Sequence, residues 1–146
     1  MIYNLFIIGK KDIDENDQYF HDLARKSLMS LQPKKIIVDY SPGWNSVVLD
    51  EARKVGVPYM GALPYDNKNL KTSKIYKAAS ANIVFNATKK DFLSNPFPYF
   101  SWIHTNTNEV LAYYDEEKDV SIRNTLKAVE DKLIRNLYSI GGNNES

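Results

Sequence analysis

A chain of 146 residues, 43% hydrophobic and 25% charged, has the size and balance of one folded domain. It contains no cysteine, which excludes disulfides, thiolate metal centres and a cysteine nucleophile. Lys+Arg of 19 against Asp+Glu of 18 leaves a net charge of +1, which excludes broad electrostatic adhesion to nucleic acid or to an anionic membrane.

The opening MIYNLFIIGKK has an apolar run but neither a basic stretch before it nor a small-residue cleavage site after it, so a cytoplasmic chain without a signal peptide is expected. No apolar run approaches the roughly 20 residues of a membrane span. The first predicted strand is Ile2–Gly9. A helix follows over Asp17–Leu31, where Phe20, Leu23, Ala24 and Leu28 recur at helical spacing and Pro33 stops the run. Lys35–Tyr40 reads as a second strand. Asn45–Lys54 then reads as a helix with Val48, Leu49, Ala52 and Val55 on one face and Gly56 at the left-handed cap.

Further strands are predicted at Val57–Pro64, Ala81–Thr88, Asn108–Asp115 and Leu133–Tyr138. Lys89–His104 is irregular, because Pro96 and Pro98 forbid a continuous helix through it. A last helix spans Asp119–Lys132, with Ile122, Leu126 and Val129 on its apolar face, and Gly141–Ser146 reads as a disordered tail. Near-continuous apolar strands alternating with helices define an α/β chain. Residues 1–140 form a single Rossmann-like domain with a mostly parallel sheet of about six strands flanked by helices.

Ligands of open parallel sheets sit beyond the carboxyl ends of the strands, beside helix N-termini. Those ends are Gly9-Lys10-Lys11, Asp39-Tyr40-Ser41-Pro42-Gly43-Trp44-Asn45-Ser46, Leu63-Pro64-Tyr65-Asp66, Asn86-Ala87-Thr88 and Tyr114-Asp115-Glu116-Glu117. In the second of them Gly43 lets backbone approach a phosphate, or the turn is simply capped by Asn45 or Ser46. Trp44 either packs on the sheet or offers a face to a base, and Tyr40 is a second stacking candidate. Lys10 and Lys11 are placed to neutralise a phosphate, or form a solvated pair. His21 and His104 lack metal-ligand spacing, so no metal and no cofactor are expected. Asp39, Asp66 and Asp115, with His104 as helper, are the carboxylates available to a hydrolase. Phe97, Tyr99, Phe100 and Trp102 form an exposed aromatic patch for a protein partner, fold onto the core, or make a contact between copies.

These strand ends, in this order, resemble the SLOG superfamily over Ile2 to about Ile140, most closely its YpsA-like branch. Gly9-Lys10-Lys11 stands where that branch has Gly-His/Ser-Arg. VDYSPGWNSVVLDEARKVGVPYMGALPYDN places Gly56, Val57, Pro58, Ala62, Pro64 and Tyr65 in matching positions, and IHTNTNEVLAYYD matches the strand ending Tyr-Asp. The resemblance implies a fold that binds a nucleotide or nucleotide-derived ligand at these ends. It departs in two places. Only Gly43 remains of the second loop's glycines, with Asn45 near its aspartate, and Lys118-Asp119-Val120-Ser121 replaces the glycines before the last helix. The Pro-Gly-Gly-x-Gly-Thr-x-x-Glu signature of the LOG phosphoribohydrolases is absent.

The expectation is therefore a non-catalytic sensor or sequestering protein for a nucleotide-type small molecule, by analogy with single-domain binders of viral counter-defence. Its ligand-binding residues are Gly9, Lys10, Lys11, Tyr40, Ser41, Gly43, Trp44, Asn45, Pro64, Tyr65, Asp115 and Ser121. A nucleotide or NAD-like hydrolase, or a protein-interaction module with a degenerate pocket, is the alternative. Self-association into a homo-oligomer is expected, while nucleic acid and membrane partners are not. The reading requires Lys10, Trp44, Tyr65 and Asp115 to share one hollow at one rim of the sheet.

Overall fold

Short apolar runs and amphipathic runs alternate along the chain, and the elements follow them. They are β1 Asn4–Gly9, α1 Gln18–Leu31, β2 Lys35–Val38, α2 Trp44–Val55, β3 Tyr59–Leu63, α3 Lys68–Lys71 and α4 Lys74–Ala78. There follow β4 Ala81–Val84, α5 Lys89–Ser94, α6 Phe97–Asn106, β5 Glu109–Tyr114, α7 Val120–Leu133 and β6 Asn136–Gly141. The computed structural model describes residues 3–115, 117–133 and 136–141, with side chains as far as Lys127.

The six strands form one sheet in the order β4-β3-β2-β1-β5-β6, each neighbouring pair parallel. The chain winds outward from β1 to β4, then returns to lay β5 against the other side of β1. That reversal puts the topological switch point between the carboxyl ends of β1 and β5.

Alternate residues of each strand serve opposite faces, as the period of two requires. Leu5, Ile7, Ile36, Val38, Leu111 and Tyr113 pack against Ala24 and Leu28 of α1 and Val47, Val48 and Ala52 of α2. Phe6, Ile37, Ala62, Val110, Ala112 and Tyr114 pack against Tyr99 and Ile103 of α6 and Leu126 of α7. The side chain of Val129 lies outside the described residues.

The structure corrects several boundaries. β2 stops at Val38, because Tyr40 takes a left-handed φ of 65° that no strand continues. The Tyr65–Ser80 connection holds α3 and α4, whose first turns are capped by the side chains of Asn67 and Ser73. The irregular stretch resolves into two helices. Thr88 and Asp91 form a capping box on α5, and Pro98 falls in the first turn of α6, where its missing N–H has no partner to lose. α7 runs through Leu133, so β6 begins at Asn136 and takes in Gly141. Residues 142–146 of the expected tail lie outside the described residues.

Candidate functional site

The turn after β1 is held by the elements on both sides of it. Lys10 N–H donates to the Tyr113 carbonyl of β5 at 2.9 Å, and the Lys10 carbonyl accepts from Trp44 N–H of α2 at 2.9 Å. Gly9 has no room for a side chain, since a Cβ there would lie 2.6 Å from Trp44 Cδ1 and 2.7 Å from the Tyr113 carbonyl. Gly43 has a φ of 80°, and a Cβ on it would run into the Lys10 carbonyl and come within 2.6 Å of Lys11 Cα. Glycine is thus demanded at Gly43 both by conformation and by close approach. Gly43, rather than Asn45 or Ser46, is the N-cap of α2. Its N–H donates at 2.7 Å to Oε2 of Glu15, from the β1–α1 loop.

Asp115 ends β5 on the other side of the switch point. Its Oδ1 accepts from the backbone N–H groups of Lys118 (3.1 Å) and Glu117 (2.9 Å), which hold its carboxyl below the usual range. Its own N–H donates at 2.7 Å to Oδ2 of Asp119, and Lys10 Nζ lies 3.4 Å from that same oxygen. Ser121 is exposed in the first turn of α7, and Lys11 is exposed beyond Lys10. Glu116 lies outside the described residues.

The β2 turn is drawn inward. Asp39 Oδ1 accepts from Ser41 N–H at 2.9 Å and from Asn45 Nδ2 at 2.8 Å. Asn45 is buried, and its Oδ1 has no partner among the described residues. Trp44 is wholly buried, with its ring 5.3 Å from that of Tyr113, so of the two roles open to it the structure shows packing against the sheet. Tyr40 is turned away from the switch point. It crosses the bare Cα of Gly61 on β3, and its hydroxyl donates to Asn82 Oδ1 of β4 at 2.5 Å. Burial, with Tyr59 and Tyr76 alongside, raises its phenol well above the usual value.

Pro64 and Tyr65 belong to a different place. Strand order puts β3 two positions from β1, so Tyr65 does not join Lys10, Trp44 and Asp115. Its ring lies 6.0 Å from Phe92 of α5. There a cleft of about 340 Å³ opens between the ends of β3 and β4 and helices α5 and α6, lined by Pro64, Phe85, Phe92 and Tyr99 with Asp91 and Asn95 beside them. Of the aromatic segment, Tyr99 is buried and Phe100 and Trp102 pack on the core, while Phe97 stays 53% exposed. His104 sits near the end of α6, next to the start of β5. It is thus at the rim opposite Asp115, about 20 Å away along a strand of this length. Asp66 is paired with Lys71 at 2.8 Å.

A second polar cluster ties α1 to α2. Glu51 is wholly buried, with His21 Nδ1 at 2.7 Å, Arg25 Nε and Nη2 each at 2.9 Å and Lys54 Nζ at 3.2 Å. Burial pushes the Glu51 carboxyl up, but these hydrogen bonds outweigh it and leave it below its usual value. Burial likewise pulls the His21 imidazole down, yet the Glu15 carbonyl and the Glu51 and Asp50 carboxylates bring it above 6.5. His21, Asp50 and Glu51 have the donor types and closeness of a metal site. Both Glu51 oxygens, however, are already committed to cationic side chains, which a metal ion would have to displace.

Sequence reasoning missed Glu15, Asp91, Phe92 and Asp119. Only Asp91 left a local signal, the Thr-x-x-Asp of a capping box. Glu15 acts on Gly43 and Asp119 on Lys10, contacts distant in the chain.

The architecture is that of a Rossmann-like α/β fold. Solved structures of the Moco (molybdenum cofactor) carrier protein of Chlamydomonas reinhardtii share it. Three of them superpose with TM-scores of 0.53, 0.55 and 0.51 at 16%, 17% and 18% identity, covering 96% of this chain and 78% of theirs. No family description and no curated protein matches the sequence. Among the described residues no helix is long and apolar enough to cross a membrane.

Proposed function

We propose that this chain is a non-catalytic binder of a nucleotide-derived small molecule, a carrier or sequestering protein whose ligand lies along the carboxyl ends of β1, β2 and β5. The observation that carries the reading is the joining of Gly9-Lys10-Lys11, Gly43-Trp44 and the Asp115 turn at the switch point, where open parallel sheets receive ligands. Lys10 and Lys11 supply positive charge, and the 12-residue α2 turns the positive end of its dipole to the same place, where the Gly43 N–H is held by Glu15 and the Trp44 N–H by the Lys10 carbonyl. The carrier role of the structural neighbours is compatible with this, although likeness at such identity speaks to the fold.

The carboxylates at the strand ends are engaged in the chain's own structure, which favours binding over turnover. Asp39 and Asp115 are spent on the chain's own N–H groups, Asp66 on Lys71, and His104 stands at the far rim. Asp119 and Lys10 stand beside Asp115, but they are paired with each other, and the Asp115 carboxylate caps its own turn.

Thermal shift with ribose 5-phosphate, nucleoside monophosphates, cyclic dinucleotides and cyclic ADP-ribose isomers tests the reading. A ligand at 100 times its Kd adds about 2.7 kcal/mol of stability, and Lys10→Ala reduces the shift. No stabilisation by any member overturns the proposal. Turnover that disappears in Asp39→Asn or Asp115→Asn establishes the hydrolase instead.

A further inference from the structure

We infer that His21 is the positioning residue of the switch-point site. Its charged ring latches the β1–α1 connection so that Glu15 closes the N-terminus of α2, and loss of its proton releases Glu15 and admits a phosphate-type anion. This deepens the proposed function and rests on it for the presence of a phosphate on the ligand.

The connection between β1 and α1 is acidic, with Asp12, Asp14, Glu15 and Asp17 all exposed. Asp14 and Asp17 are used locally, on Asn16 N–H at 2.9 Å and on Tyr19 N–H at 3.0 Å. Glu15 reaches across instead, and its Oε2 accepts from Gly43 N–H at 2.7 Å. A carboxylate there occupies the place where a helix end holds a phosphate. The same residue is pinned from behind. Its backbone carbonyl lies 2.6 Å from His21 Nε2, while His21 Nδ1 lies 2.7 Å from Oε2 of the buried Glu51. Both ring nitrogens therefore face acceptors, and only the imidazolium, with an N–H on each, satisfies both.

A neutral ring keeps one N–H. The ionised Glu51 is the stronger acceptor, so the proton stays on Nδ1 and the Nε2 lone pair turns against the Glu15 carbonyl. The groups around the ring set when this happens. On α2 these are Glu51, Asp50 at 3.7 Å and Lys54, whose Nζ lies 3.2 Å from Glu51 Oε2. On α1, Arg25 Nε donates to the other Glu51 oxygen at 2.9 Å. Burial opposes the ring's charge, but the Glu15 carbonyl and the two carboxylates outweigh it. A space of about 390 Å³, lined by Glu15, Asn16, His21, Ser46 and Asp50 among others, gives the released segment room to move. The sign of the effect is diagnostic. Loss of a positive charge by itself weakens anion binding, whereas release of Glu15 strengthens it.

Titration of the full chain with sulfate between pH 6 and 9, followed by the Gly43 amide signal in NMR, tests this. Sulfate stays doubly ionised throughout, whereas a phosphate monoester takes up its second proton at about pH 6. The expected result is a sulfate affinity that rises severalfold with pH, at the midpoint where the His21 ring signals titrate. Without sulfate, the Gly43 amide is expected to shift at that same midpoint. His21→Gln makes the affinity independent of pH, and Glu15→Gln holds it at the high-pH value throughout, each with folding verified by circular dichroism. An affinity that stays level or falls as pH rises overturns the latch while leaving the wider proposal standing. A Gly43 amide that does not follow the His21 midpoint does the same. Sulfate binding to neither the unaltered chain nor Glu15→Gln at any pH overturns the phosphate site, and the latch with it.

Discussion

Glu15 holds the position that the phosphate of the proposed ligand would take. Its carboxylate accepts from Gly43 N–H at 2.7 Å at the positive end of α2, so the chain caps this helix with its own charge. A phosphate arriving there exchanges one anion for another, and the net gain is small unless Glu15 leaves. Glu15→Gln is therefore expected to strengthen binding of a phosphate-bearing ligand severalfold while costing about 1 kcal/mol of stability through the weakened cap. Calorimetry and urea denaturation of the same variant measure the two effects, and unchanged affinity places the phosphate elsewhere. Gly43→Ala tests the turn itself. Its φ of 80° and the closeness of Lys10 and Lys11 leave no space for a methyl group, and a loss of about 2 kcal/mol or more is expected in denaturant. Neither Glu15 nor Asp119 was legible as a site residue. Their distant partners, Gly43 in one case and Lys10 in the other, are brought to them by strand order, to which local patterns are blind.

At the scale of elements, the buried Glu51 network fastens α1 to α2 and gives the layer a pH profile. His21 is raised above 6.5 in the folded chain, so its contribution is fully present below pH 6.5 and is lost as pH rises through the raised value. Glu51 is held below 4.5, so its contribution is present above pH 4.5 and is lost as pH falls through the lowered value. Stability is expected to plateau between these limits and to decline on both sides. Denaturant midpoints measured across pH 5 to 9 check the alkaline limb, which His21→Gln should flatten. Glu51→Ala should cost about 3 kcal/mol at neutral pH by leaving its cationic partners uncompensated. The elements with strong periodicity, α1 and α2, were legible to within a few residues, and Gly56 was placed as the left-handed cap it is, with a φ of 82°. α3, α4 and α5 were not, because each is under two turns long and owes its existence to caps at Asn67, Ser73 and Thr88 rather than to an apolar stripe.

Across the whole molecule, apolar strand runs alternating with helices were enough to define a parallel α/β sheet, but not which strand ends adjoin. Lys10 and Asp115 meet because β5 returns beside β1, whereas Tyr65 goes with β3 to the aromatic cleft. The single hollow expected from the sequence is therefore two features on one rim. The sheet also decides how the molecule should unfold. Each inner strand contributes alternate residues to both apolar layers, Leu5 and Ile7 to one and Phe6 to the other, so neither helical layer can be released without exposing the strands that the second one needs. Trp44 reports on this directly, since it is wholly buried in the α1–α2 layer against Tyr113, and the chain's other tryptophan, Trp102, is only half-buried on the opposite face. In Trp102→Phe, the red shift of Trp44 emission and the loss of far-ultraviolet dichroism are expected to share one denaturant midpoint. A Trp44 transition that precedes the loss of helix and sheet would mean that α1 and α2 detach as a unit, and that the sheet with α6 and α7 persists without them.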